Sequence, residues 1–176
     1  MPILTAYQHN FHTNLVRIDR NIFVIKIVCI AHKQNPRYNQ HMEISYLGHS
    51  CFKLSERNLS MVVTDPFDKS IGYSLPKLKA DIVTVSHDAP GHNNVGAVKD
   101  ARVINGPGEY EIGGVFITGV ATQQAGGDKK KKVEGKNTLY VFDFDGITVA
   151  HLGDLDHVPT QAQVEEMGNV HVALVP

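Results

Sequence analysis

The stretch "NTLYVFDFDGITVAHLGD", Asn137 to Asp154, confines the chain to a sheet architecture. Apolar and polar residues alternate on both sides of Asp145-Gly146, and a period of two puts alternate side chains on opposite faces of a strand. Asp-Gly supplies the positive φ angles of a type I′ turn, so the two runs fold back as a hairpin. "GEYEIGGVFITGV" repeats the signal, with Gly113-Gly114 at the joint. "MEISYLGHSCFKLS" reads as two strands split by Gly48, "LSMVVTDPF" as a third, and "ADIVTVS" as a continuous apolar strand. "NVGAVKDA" reads as a short helix leading to "RVING", and "TQAQVEEMG" as a helix with Thr160 as its N-cap before the buried strand "VHVALVP". Short antiparallel strands followed by βα units imply an α+β fold, sheets packed together with helices outside.

The bulk numbers narrow the function. A chain of 176 residues can bury one sizeable core. Its net charge of -1 lacks the basic excess of a dedicated nucleic-acid surface. Two cysteines, Cys29 and Cys51, make neither a disulfide framework nor a cysteine-rich zinc site, so a reduced cytoplasmic setting is the expectation. The apolar run Ile22 to Ala31 is interrupted by Lys26 and is about half the roughly 20 residues of a membrane span. Neither a membrane nor a nucleic acid is therefore an expected partner.

Composition shifts at Met42. Residues 1–41 carry five basic residues against Asp19 alone and contain no glycine, and "QNPRYNQH" closes them as a polar linker. They read as an appendage, not native to the domain that fills 42–176. "QQAGGDKKKKVEGK" reads as a solvated tip, because its four successive lysines repel one another. The sequence stops just after a buried strand, where a closing helix would be expected. Truncation is the expectation, with an exposed sheet edge that a second copy of the chain could cover.

Three strand ends carry polar clusters: His49 in "LGHS", His87, Asp88 and His92 in "SHDAPGHNN", and His151, Asp154, Asp156 and His157 in "AHLGDLDH". Imidazoles and carboxylates are the donors of a catalytic zinc or similar ion. Asp65 in "TDPF" also ends a strand, where a carboxylate can orient a ligand imidazole. The bland alternatives are a solvated loop histidine, a turn cap at Asp154 and a turn starter at Asp65 before Pro66. Recurrence of the pattern favours the metal reading.

"ISYLGHSCFKL", "VVTDPF", "ADIVTVSHDAPGHNN", "NGPGEYEIGGVFITGV", "KNTLYVFDFDGITVAHLGDLDH" and "VALVP" fall in an order that resembles the metallo-β-lactamase fold superfamily, in its L-ascorbate-6-phosphate lactonase-like branch. The resemblance implies an αββα sandwich, incomplete at the C-terminus, with a metal site at one edge. It also implies a hydrolase of a lactone, ester or phosphoester that acts through metal-activated water. Against the family's His-x-His-x-Asp-His signature, His87 and His92 match, while Ala89 replaces a histidine and Gly91 an aspartate. Asp154 matches the bridging carboxylate, and His151 is normally structural. Gln123 and Gln124 stand where a further ligand histidine is usual, and the last family histidine falls past the end of this chain.

The resemblance therefore leaves His87, His92 and Asp154 as residual metal ligands. His49, Asp65, Asp88, His151 and His157 are supporting residues or recruits. Zinc or another divalent metal is the expected cofactor, with no metal bound as the alternative. Asp88, next to His87, should point away from it if the chain there is extended. Three readings of function stay open: a family member with impaired metal binding and catalysis, an active hydrolase with a rearranged site, and a non-catalytic binding module.

Overall fold

The computed structural model describes residues 4–6, 11–19, 22–32, 39–124 and 135–175, with side chains over 42–122 and 136–175. The strands are β1 (Leu4–Ala6), β2 (Phe11–Asp19), β3 (Ile22–His32), β4 (Asn39–Gly48), β5 (Cys51–Ser55), β6 (Val62–Thr64), β7 (Leu78–Lys79) and β8 (Ile82–Val85). They continue with β9 (Val98–Lys99), β10 (Arg102–Asn105), β11 (Gly108–Ile112), β12 (Val115–Gln124), β13 (Gly135–Phe144), β14 (Ile147–His151) and β15 (Val172–Leu174). Helix α1 (Gln161–Met167) precedes β15.

Two sheets form the sandwich. One has the order β1-β15-β14-β13-β12-β11 and the other β10-β8-β6-β5-β4-β3-β2. Their facing sides share one core, in which Met42, Ile44, Phe52, Leu54 and Ile82 meet Ile117, Phe142, Phe144, Val149 and Leu174. Strands β6 and β8 are apolar on both faces. Val62 and Ile82 point into that core, while Val63, Val83 and Val85 join Phe67, Cys51 and Val98 in a second cluster behind the sheet. The continuous apolar runs follow from burial on both sides.

The expected hairpins are present. Asp145 and Gly146 have φ of 51° and 96°, and Gly113 and Gly114 have 54° and 81°. Helix α1 starts in a capping box, in which the Thr160 side chain accepts from the Gln163 N–H and the Gln163 side chain accepts from the Thr160 N–H. The Gln163 amide then donates to the Ala121 carbonyl at 2.9 Å, tying α1 to β12. The expected helix at "NVGAVKDA" is a correction: only Val95–Ala97 makes a 3-10 turn, and Val98 enters β9, paired with β7. Gly96 and the β-branched Val95 and Val98 have low helix propensity, and the apolar Val98 is buried as strand.

The edge of β15, open by sequence, pairs with β1 through Leu4↔Leu174 and Ala6↔Val172. The run Ile22 to Ala31 lies within β3, which pairs with β4. The lysine run and most of the linker before Met42 lie outside the described residues. No helix among the described residues is long and apolar enough to cross a membrane.

Candidate metal centre

Parallel pairing of β6 with β8, with Thr64 opposite Thr84, brings the ends of both strands together. Asp65 follows β6, and its N–H donates to the Thr84 carbonyl at 2.9 Å. Ser86 follows β8. Asp65 is fully buried, and its Oδ1 accepts the Ser86 N–H at 2.7 Å. Its Oδ2 lies 2.5 Å from Ser86 Oγ and 2.8 Å from His92 Nδ1. Ser86 Oγ is in turn 3.0 Å from His87 Nδ1. Asp65 holds φ at 37°, a left-handed backbone that costs on the order of 1–3 kcal/mol outside glycine. The carboxylate's three bonds offset that strain.

Donor bookkeeping assigns the tautomers. Burial pushes the Asp65 carboxyl up, but His151, His92 and Ser86 together outweigh it and hold the pKa below the ordinary value. The ionised carboxylate can only accept. His92 therefore donates from Nδ1 to Asp65. Ser86 Oγ spends its proton on Asp65 and so accepts from His87 Nδ1. One buried carboxylate thus fixes both imidazoles with Nε2 as the lone-pair nitrogen, the arrangement by which carboxylates orient metal-ligating histidines.

The ligand atoms of Asp65, His87 and His92 lie within 4.8 Å of one another. The His87 and His92 ring centroids are 4.0 Å apart. His49, in the turn between β4 and β5, adds a third ring, with its Nε2 3.2 Å from His92 Nε2. Burial, then the neighbouring His92, lowers the pKa of both His49 and His87, while Asp154 and Asp65 pull the other way. Neutral imidazole, the form that binds metal, is thereby favoured.

Asp154 is exposed on the loop after β14, close enough to act electrostatically on His49 and His87. Its N–H donates to Asn137 Oδ1 at 3.0 Å, and the Asn137 amide donates to Thr122 Oγ1 at 2.9 Å and to the Leu152 carbonyl at 3.1 Å. Gly153, at φ 58°, lies so close that an added Cβ would sit 2.4 Å from Asn137 Oδ1 and 2.6 Å from Ser86 Cβ.

The other sequence candidates separate by contact. Asp88 is exposed and accepts from Asn93 Nδ2, while His87 is half-buried; the backbone there bends, so the extended geometry considered for this pair does not apply. His157 Nδ1 lies 3.1 Å from its neighbour Asp156. His151 is buried with Nε2 3.0 Å from the Ser50 carbonyl, and burial lowers its pKa. The side chains of Gln123 and Gln124 lie outside the described residues. Ser86 and Asn137, both central to the network, carry no sequence signal beyond their place at strand ends.

The beta-lactamase superfamily domain model matches residues 43–176. The chain belongs to this family. Its match begins one residue after Met42, and its metallo-β-lactamase-type sandwich recurs in solved structures. A crystal structure of a candidate Zn-dependent hydrolase of the metallo-β-lactamase superfamily from Thermotoga maritima is 44% identical at a TM-score of 0.59, covering 74% of this chain. The present chain spans 58% of that protein's length. A candidate metal-dependent hydrolase from Parabacteroides distasonis is 18% identical at a TM-score of 0.57, covering 78% of this chain and 69% of its own, and supports the fold. No curated protein matches the chain.

Proposed function

We propose that this metallo-β-lactamase superfamily chain is a metal-dependent hydrolase with weakened metal binding and impaired catalysis. The observation that carries the reading is the chain from His87 through Ser86 to Asp65 and back to His92, which presents two Nε2 lone pairs. Positions 89 and 91, between them, hold Ala89 and Gly91 and offer no donor.

The donor set fits a divalent ion. His87 and His92 would hold it, and Asp154 stands near enough to contribute charge. Asp65 serves as anchor, because its oxygens already accept three hydrogen bonds. A zinc or similar ion there would supply Lewis-acid activation of water. The protein's own residues do the positioning: Asp65 fixes the tautomers, and Asn137 fixes the loop that carries Asp154. Two matched imidazoles fall short of the three protein ligands usual for catalytic zinc, so affinity and rate both fall.

The family resemblance extends this to the ascorbate-6-phosphate lactonase-like branch and to a lactone, ester or phosphoester substrate. A panel of such esters, assayed with zinc or manganese supplied, tests it. Slow hydrolysis that stops with chelator and in His92→Ala supports the reading. Turnover indifferent to chelator overturns it.

A further inference from the structure

We propose that His49 serves as a replacement ligand in the seat opened by Gly91, sharing one ion with His92. Three observations carry it. A Cβ added at Gly91 would fall 2.6 Å from His49 Nε2 and 3.1 Å from its Cδ2, so the His49 ring occupies the space a side chain at 91 would take. His49 and His92 face each other through their Nε2 atoms at 3.2 Å. Two imidazole nitrogens on one tetrahedral zinc, each bonded at 2.0–2.1 Å, stand about 3.3–3.4 Å apart.

The turn that holds His49 is also built firmly. His49 has φ 51°, and the carbonyl of the next residue, Ser50, accepts from Thr64 Oγ1 at 3.1 Å and from His151 Nε2 at 3.0 Å. Thr64 Oγ1 accepts the Phe52 N–H at 3.0 Å. Thr64 directly precedes Asp65, so one strand end fixes both the His49 turn and the carboxylate that aims His92. Because Asp65 fixes Nε2 of His92 as an acceptor, His49 has two roles open to it. It can donate a proton to that nitrogen, or it can share an ion with it.

The inference rests on the reading that the site still takes a metal. The test is zinc affinity of the full chain, measured by competition with a chromophoric chelator, together with the cobalt(II) absorption spectrum. His49→Asn tolerates the left-handed backbone, and should lower zinc affinity at least about tenfold and change the cobalt bands. Gly91→Ala, whose Cβ displaces the flexible His49 ring, should weaken zinc similarly while the melting temperature stays near that of the parent. His157→Ala should change neither. Parent-like affinity and spectra in His49→Asn and Gly91→Ala, with binding still lost in His92→Ala, would overturn the His49 assignment and leave the metal reading standing. No zinc binding by the parent chain would overturn both.

Discussion

His92 Nδ1 lies 2.8 Å from Asp65 Oδ2, and this one bond sets which nitrogen of His92 faces the neighbouring imidazoles. Asp65 reaches His87 as well, through Ser86 Oγ. Removing the carboxylate should therefore disturb fold and site together. Asp65→Ala leaves the Ser86 N–H and His92 Nδ1 without their acceptor in a buried place, and should cost about 3 kcal/mol in urea unfolding.

The same carboxylate predicts acid behaviour. Its folded pKa is depressed, so its contribution to stability is present above the unfolded value, about 3.9, and fades as pH falls through the lower folded value. Unfolding free energies from pH 6 down to pH 2 should fall in the parent chain and follow a flatter course in Asp65→Asn. Equal slopes in the two proteins would remove Asp65 from the acid limb.

Tyr140 predicts the opposite limb. Burial pushes its hydroxyl up to about 12. The hydroxyl accepts the Gly106 N–H at 2.9 Å and donates to the Val85 carbonyl at 3.0 Å, bridging the two sheets beside Ser86. A raised folded pKa gives stability that is whole below the unfolded value, about 10, and is lost as pH rises toward 12. Tyr140→Phe should be less stable at neutral pH and should flatten the decline between pH 10 and 12.

Gly153→Ala places a methyl against Asn137 and Ser86 on a left-handed backbone. Overpacking and strain should together cost about 2–3 kcal/mol, read as a lower denaturant midpoint with an unchanged slope.

Residues 1–41 precede the family match at residue 43. We expect a chain begun at Met42 to remain folded with unchanged zinc affinity. Aggregation of that shorter chain on expression would show that β1 on the edge of β15, or β3 beside β4, is required.

Local chemistry made much of this legible in the sequence. Asp145-Gly146 dictates its hairpin whatever surrounds it, and Thr160 with Gln163 dictates the start of α1. His87 and His92 stood out because polar residues crowd the end of an apolar strand. Ser86 and Asn137 did not, since a serine or an asparagine at a strand end is commonplace. Their roles arise only when β6 pairs with β8 and when the loop after β14 meets β13. "NVGAVKDA" misled because eight residues with Gly96 and β-branched Val95 and Val98 hold too little helix propensity to outweigh the burial of Val98 as strand. Gly91 read as a loss, but the cost or gain of that loss depends on His49, distant in sequence and adjacent in space.

Zinc content reads directly how many ions the remaining donors hold. The full chain, equilibrated with excess zinc and passed through a desalting column, should retain no more than one ion per chain, and His92→Ala should retain none. Two ions per chain surviving the column would contradict the account, because a complete two-metal site cannot be assembled from His87, His92 and Asp154.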